Sequence, residues 1–170
     1  MDRLILMRHG KAEQHAASGG DFERALASRG QNDAALMGKV LAKAGLSPDL
    51  ALVSSARRTR ETWEAAAPAF SKARVETRRD LYHAEPQDVL AAIRDDAPDT
   101  GTVMVVGHNP GLHELALRLA MGGPADPAKL AQLRGKFPTA TVAVFSIDPD
   151  GAPTLSHLFY ASENGGHGGE

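Results

Sequence analysis

The sequence predicts an α/β protein, a three-layer αβα sandwich around a mostly parallel central sheet. Short apolar runs alternate along the chain with helical patterns, which is typical of such sheets. Three of the runs are apolar almost throughout, as expected for strands that helices cover on both faces. With 42% hydrophobic and 24% charged residues, the 170-residue chain has a globular composition and enough length to bury a core.

Five apolar runs are the predicted strands, at residues 4–7, 50–53, 102–106 and 142–147, with a weaker one at 155–159. Four periodic stretches are the predicted helices, at residues 31–43, 58–70, 86–94 and 110–120. Gly45 is expected to end the first helix, and Pro86 and Pro110 suit first-turn positions.

The chain is expected to form one domain over residues 1–160, followed by a flexible Gly-rich tail at residues 161–170. The tail segment from Gly165 to Gly169 has no apolar side chain to bury, and its His167 is predicted to be solvated. The first apolar run is too short for a signal-peptide core, and no run approaches the ~18 apolar residues of a membrane span. We therefore expect a cytoplasmic protein without a membrane partner.

Composition excludes several kinds of site. Cysteine is absent, which excludes disulfides, thiolate metal sites and a cysteine nucleophile. A net charge of −2 gives no basic field for nucleic acid. His108 and His113 are five residues apart, rather than the three or four that place ligands on one helical face. We expect neither a metal nor another cofactor.

Polar motifs follow three of the predicted strands directly. Arg8-His9-Gly10 follows the first, Ser54-Ser55 and then Arg57-Arg58 follow the second, and Gly107-His108-Asn109-Pro110-Gly111 follows the third. Because ligands bind outside the carboxyl ends of the strands in an open parallel sheet, these motifs are expected to meet at one edge. Two histidines and at least two arginines would then share a site.

Such a set of side chains suits phosphate chemistry. Arginine forks match phosphate oxygens, and a neutral imidazole can act as a nucleophile. Asn109 is predicted to cap a helix whose free amides would face an anion, so it is a candidate for substrate binding. Gly10 and Gly107 are predicted to let the backbone approach the phosphate closely. Together these groups could support phosphoryl transfer without a metal.

The three motifs, in this order, resemble those of a known family. Leu6-Met7-Arg8-His9-Gly10 resembles the signature of the histidine phosphatase superfamily, which has the phosphoglycerate-mutase-like fold. The segment from Ser54 to Thr62 is similar to its second phosphate-binding segment, and Val106-Gly107-His108-Asn109-Pro110 to the segment that carries its second histidine. The segments Asp21-Phe22-Glu23-Arg24-Ala25-Leu26, Asp80-Leu81-Tyr82-His83-Ala84 and Phe137-Pro138-Thr139-Ala140 are similar to SixA-type phosphohistidine phosphatases.

The resemblance implies transient phosphorylation of His9, with Arg8, Arg58 and His108 binding the transferred group. It selects Arg58 rather than Arg57, because the functional arginine lies four residues before the threonine of that segment. The branch implies a protein phosphohistidine phosphatase of phosphorelay signalling, whose partner is a phosphorylated protein. Arg24 is a further candidate for substrate binding, although a surface salt bridge with Asp21 would explain it equally well.

The general acid is not assigned by the resemblance. Where mutase-type members have a glutamate, this sequence has His83, and Glu85 is the other candidate, although it equally suits a helix start beside Pro86. The chain also lacks the length of the sugar-phosphate mutases, which disfavours mutase activity. Two alternatives stay open, a general phosphatase of small phosphate esters and a catalytically idle phosphoprotein-binding module.

Overall fold

The computed structural model describes residues 1–169, which form a sheet of six strands flanked by five α-helices. The strands are β1 (Arg3–Arg8), β2 (Leu50–Ser54), β3 (Arg74–Arg78), β4 (Thr102–Gly107), β5 (Val142–Ile147) and β6 (Pro153–Phe159). The helices are α1 (Ser28–Lys43), α2 (Arg57–Ala66), α3 (Pro86–Asp96), α4 (Gly111–Met121) and α5 (Pro127–Gly135). No helix in this part of the chain is both long and apolar enough to cross a membrane.

The strand order in the sheet is β3-β2-β4-β1-β5-β6. The first four strands in this order pair in parallel, whereas β5 and β6 pair antiparallel at one side. The carboxyl ends of β1, β2 and β4 therefore lie at one edge of the sheet. This confirms the predicted α/β fold with a mostly parallel sheet.

Each central strand contributes side chains to two separate cores. In β1, Leu4 and Leu6 face the layer of α3, α4 and α5, whereas Ile5 and Met7 face the layer of α1 and α2. All four side chains are fully buried or nearly so. Successive side chains of a strand point to opposite faces of the sheet. Because helices cover both faces here, a run of consecutive apolar residues is buried on both sides. The three predicted layers are thus present.

Two elements escaped the sequence analysis. β3 has the sequence Arg-Val-Glu-Thr-Arg, its residues are largely exposed, and it becomes a strand by pairing with β2 at the sheet edge. α5 buries little beyond Leu133. Its start nevertheless carries a recognisable signal, since Asp126 accepts a hydrogen bond from the Ala128 amide and Pro127 occupies the first turn.

The C-terminal segment, predicted as a flexible tail, contacts the rest of the protein at several described residues. A short 3₁₀ helix, Ala161–Asn164, buries Ala161, and the backbone N–H groups of His167 and Gly168 donate to the Asp33 carboxylate at 2.9 and 2.8 Å. Asp33 lies on α1 and is only 1% exposed. The contact is made by backbone amides rather than by apolar side chains, which explains why hydropathy gave no sign of it.

Candidate active site

His9 lies immediately beyond the last residue of β1, and its backbone N–H donates to the Gly107 carbonyl of neighbouring β4 at 3.1 Å. Its imidazole is 8% exposed. The Nδ1 atom lies 2.7 Å from the Gly10 carbonyl oxygen, which can only accept a hydrogen bond. Nδ1 therefore carries the proton, and the lone pair is on Nε2, the atom that can attack phosphorus.

The surroundings keep His9 uncharged. Burial lowers the pKa of His9 from 6.5 to about 3, and the positive charges of Arg58, Arg8 and Arg24 act in the same direction. Only the hydrogen bond to Gly10 raises it. At neutral pH the ring is therefore an unprotonated nucleophile held among cations that could bind a phosphoryl group.

The pH dependence of the reaction should reflect this low pKa. Protonation of Nε2 blocks attack, so kcat/KM should fall only as the pH drops toward the pKa of His9 in the free enzyme. After correction for substrate ionisation, we expect a level profile from about pH 7 down to about pH 5. A decline with an apparent pKa near 6.5, the ordinary value for histidine, would show that burial does not control this group.

His108 follows β4 and faces His9, with 5.4 Å between the ring centroids. Its Nε2 is hydrogen-bonded to the Ser54 hydroxyl at the end of β2, at 2.7 Å. Its Nδ1 is buried and has no hydrogen-bond partner within residues 1–169. Burial, followed by the proximity of His9 and Arg58, lowers the pKa of His108 to about 2, so this ring is also neutral.

Arg58 enters the site from the first turn of α2 and is 5% exposed. Its two terminal nitrogens donate to the backbone carbonyl and the carboxylate of Asp21, at 2.8 and 3.1 Å. Arg57, its neighbour, is exposed and pairs with Glu61 one turn along the helix, at 3.3 Å. Only Arg58 of these two arginines lines the cavity at the sheet edge.

The Asp21 carboxylate joins the groups on this side of the cavity. Besides Arg58, it accepts hydrogen bonds from Arg24 Nε at 3.0 Å and from the Tyr82 hydroxyl at 2.6 Å. The Tyr82 hydrogen bond is the largest of the causes that hold the pKa of Asp21 well below its usual range. Arg24 thus forms the salt bridge considered from the sequence and also lines the cavity.

Arg8 and Asn109 also line the cavity. Both donate to the Phe137 carbonyl oxygen, at 3.1 and 2.9 Å, and the Asn109 side-chain oxygen is buried without a partner in the described chain. The cavity measures about 250 Å³. It brings together six predicted site residues, namely Arg8, His9, Arg24, Arg58, His108 and Asn109. Three elements distant in sequence therefore do meet at one sheet edge.

The two predicted glycines have another structural role. A Cβ atom on Gly10 would lie 2.5 Å from the Gly30 carbonyl oxygen, and one on Gly107 would lie 3.3 Å from Leu112 Cδ1. Neither glycine lines the cavity. Close packing against the start of α1 and against Leu112 of α4 favours glycine at these two positions, and the predicted close approach to a phosphate stays a prediction.

The predicted helix cap at Asn109 is wrong. The helix α4 begins at Gly111, Pro110 is its N-cap rather than a first-turn residue, and the Asn109–Pro110 peptide bond is cis. The Leu112 amide donates to the His108 carbonyl at 3.0 Å, so this amide is not available to an anion. Asn109 contributes its side chain to the cavity instead.

Neither candidate acid lines the cavity. His83 is exposed and has a left-handed backbone with φ of 57°. Its ring contacts the Tyr82 ring with 3.9 Å between centroids and an angle of 40° between the planes. Glu85 is the N-cap of α3, as its place beside Pro86 predicted, and its carboxylate accepts the Asp88 amide in a reciprocal capping box. A proton donor placed against the leaving group is thus not evident among the residues predicted for it.

Thr62 is a positioning residue that the sequence analysis quoted but gave no role. Its buried hydroxyl accepts from the Gly10 N–H at 3.0 Å and donates to the Arg58 carbonyl at 2.7 Å. The Gly10 carbonyl oxygen in turn accepts a hydrogen bond from Nδ1–H of His9. One hydroxyl therefore links the loop that orients His9 to the helical turn that carries Arg58.

Replacing Thr62 with valine should lower kcat by about 10- to 100-fold, because small displacements of reacting groups are costly. The loss of a buried hydrogen-bond partner for Gly10 should also lower the free energy of unfolding by about 1–3 kcal/mol. Thr62→Ser retains the hydroxyl and should restore kcat. If Thr62→Ser loses as much activity as Thr62→Val, the hydroxyl alone does not account for the effect and the proposed positioning role is wrong.

Residues 1–169 contain no group of three or more His, Asp or Glu side chains arranged to hold a metal ion. The positive charge at the site comes instead from the guanidinium groups that line it. Guanidinium groups bind phosphate oxygens in pairs of hydrogen bonds and keep their charge throughout the physiological pH range.

Comparisons with known proteins agree with this geometry. Residues 4–85 match the family model of the histidine phosphatase superfamily (branch 1). An uncharacterized protein of Mycobacterium tuberculosis is 35% identical over 141 residues, 83% of this chain and 87% of that protein. An uncharacterized chloroplastic protein of Arabidopsis thaliana is 34% identical over 128 residues, 69% of this chain, and the match spans 59% of its length.

A solved structure extends the match to nearly the whole chain. It is the structure of a protein from Agrobacterium tumefaciens that is provisionally assigned as the phosphohistidine phosphatase SixA. The two chains are 31% identical, with a TM-score of 0.78 over 93% of this chain and 97% of that one. The chain therefore belongs to the histidine phosphatase superfamily, in its SixA-type branch, and is a histidine-dependent phosphatase.

Proposed function

We propose that the protein is a protein phosphohistidine phosphatase of phosphorelay signalling in the cytoplasm, with His9 as its nucleophile. The observation that carries the proposal is a neutral His9 with Nε2 unprotonated, beside the Arg8, Arg24 and Arg58 guanidiniums, in a cavity that neither candidate acid lines. Such a site favours substrates whose leaving group needs little help from an acid.

The proposed reaction has two steps. Nε2 of His9 attacks phosphorus, the P–N bond of the substrate phosphohistidine breaks, and the released imidazole takes up a proton from the solvent. Positive charge on the His9 ring is then stabilised by the Gly10 carbonyl, which holds the Nδ1 proton. Water attacks the phosphorus next, the bond to Nε2 breaks, inorganic phosphate leaves, and His9 returns to its neutral form.

Arg8, Arg58 and His108 bind the phosphoryl group in this proposal. The Nε atom of Arg58 and Nδ1 of His108 are buried without a partner in the described chain, so each can donate to a bound phosphoryl oxygen. For His108 this requires the Nδ1–H tautomer, in which Nε2 accepts the hydroxyl proton of Ser54. Preorganised donors of this kind stabilise the charge that spreads over the equatorial oxygens in the transition state.

A series of substrates tests the proposal directly. An alkoxide such as that of serine is a poor leaving group without a general acid, whereas the imidazole of phosphohistidine leaves readily. We expect kcat/KM to fall steeply as the leaving-group pKa rises, with phosphohistidine protein well above phosphoserine peptides. A flat dependence, with small phosphate esters hydrolysed as fast as phosphohistidine protein, would instead support a general phosphomonoesterase with an effective acid.

The same series on a His83→Ala variant examines the remaining role of that residue. If His83 reaches the leaving group during turnover, the variant should show a steeper dependence on leaving-group pKa, with p-nitrophenyl phosphate least affected. Identical slopes would remove His83 as the acid. No turnover of any substrate would indicate the idle phosphoprotein-binding module.

A further inference from the structure

Two further cavities adjoin the cavity at the sheet edge, and the three together are called the trough. A cavity of about 540 Å³ shares Arg8 and Asn109 with it. A cavity of about 420 Å³ shares Gln14 and Arg24 with it. The trough is therefore larger than the phosphoryl group alone requires.

The larger flanking cavity contains a cation that the proposed chemistry does not use. Lys136 lies in its wall, with its ammonium 4.9 Å from the centroid of the buried Tyr160 ring. Within residues 1–169 no carboxylate lies within 4.0 Å of this ammonium. Lys136 is thus held beside the trough and is not neutralised by a described neighbour.

The other described residues of this cavity wall carry no negative charge. His113 donates from Nε2 to the Leu133 carbonyl at 2.6 Å and stacks on Phe137 with 5.4 Å between centroids. Ser162 and Pro138 complete much of the lining. The cavity of about 420 Å³ differs, because Asp21 and Arg24 both lie in its wall and form an ion pair at 3.0 Å. The wall at Lys136 therefore carries an excess of positive charge, whereas the charges of Asp21 and Arg24 offset each other.

We propose that this trough binds an extended segment of the phosphoprotein substrate, with the phosphoryl group at His9 and an acidic side chain of the same segment at Lys136. The proposal rests on the function proposed above and adds the orientation and sequence preference of the substrate. A carboxylate at Lys136 would be attracted, whereas in the cavity of Asp21 the charges of Asp21 and Arg24 offset each other and the attraction is weaker.

Phosphohistidine peptides with glutamate, alanine or lysine placed two or three residues to either side of the phosphorylated residue test this preference. For the wild type we expect glutamate on one side to raise kcat/KM about fivefold over alanine and lysine to lower it, as partly exposed charge pairs do. Lys136→Glu should invert that order. Lys39→Glu makes the same change of charge on an exposed position of α1 and should leave the order as in the wild type.

Several outcomes would overturn the proposal. They are equal kcat/KM values for the glutamate and lysine peptides on both sides, or the same inversion in the Lys39→Glu control. A parallel series of phosphotyrosine peptides with the same flanks separates this proposal from the one on which it rests. If only the phosphotyrosine series is hydrolysed and shows the charge preference, the trough is supported and the phosphohistidine substrate is wrong.

Discussion

His9→Ala is expected to lower kcat/KM for p-nitrophenyl phosphate by about 10⁴-fold or more, because loss of a covalent nucleophile removes the reaction path itself. Alanine leaves the guanidinium groups in place, so substrate should still bind. Because the His9 ring is neutral in the folded protein, replacing it with alanine does not change the net charge of the buried site. Initial rates, with a thermal unfolding curve to confirm the fold, measure the effect.

His157→Ala is the matched control, because His157 is partly buried on β6 and lies outside the cavity. It should keep wild-type activity within about twofold, as changes away from the site do. A loss of less than about tenfold in His9→Ala would mean that water or another group attacks phosphorus directly. His9 would then be a binding residue, and the covalent path would be wrong.

Arg58→Ala is expected to lower kcat/KM by about 10²–10³-fold, the typical cost of removing one preorganised donor to a transition-state oxygen. Arg57→Ala should cost less than about threefold, since an exposed charge contributes little. The contrast follows from position. Arg58 lies in the cavity wall at 5% exposure, whereas Arg57 lies outside with Glu61 as its partner.

Arg58 also holds Asp21, so its removal could disturb the loop that carries Arg24. Arg58→Lys separates the two effects, because lysine keeps the charge but not the forked geometry. We expect it to fold as the wild type does and to remain at least about tenfold less active, with the loss in kcat. Equal losses in Arg57→Ala and Arg58→Ala would contradict the assignment of Arg58 alone as the phosphate-binding arginine of this segment.

The sequence was sufficient for the parts of the fold that burial dictates. β1, β2 and β4 are apolar on both faces because they lie between two helical layers. Each of these strands is therefore visible in the sequence as an almost uninterrupted apolar run. β3 shows no such run, because Val75 is its only apolar residue and is exposed. The segment forms a strand only through its pairing with β2. Edge strands of this kind depend on a partner that hydropathy does not reveal.

The same contrast applies to the site. The position of His9, Arg58 and His108 within a few residues after three strands was sufficient to predict that they meet, because parallel strands align their carboxyl ends. Contacts between distant loops were not predictable. The Tyr82 hydroxyl reaches Asp21 across 61 positions of sequence, and the Thr62 hydroxyl reaches Gly10 across 52.

A local motif also led to a wrong interpretation. Asn109-Pro110 matched a helix cap, but α4 begins at Gly111 with Pro110 as its N-cap. The side-chain amide of Asn109 donates to the Phe137 carbonyl, which lies 28 positions away in sequence. A long-range hydrogen bond that the local pattern does not reveal thus occupies the Asn109 side chain.

Trapping a phosphorylated enzyme intermediate tests whether His9 is the nucleophile. The enzyme is mixed with excess phosphohistidine protein or p-nitrophenyl phosphate, quenched in alkaline denaturant that preserves phosphohistidine, and digested for mass spectrometry. We expect the phosphoryl group on the peptide that contains His9, at Nε2, and none in the His9→Ala protein. Full turnover with no phosphorylated His9 peptide, or with the label on His108 instead, would contradict the account.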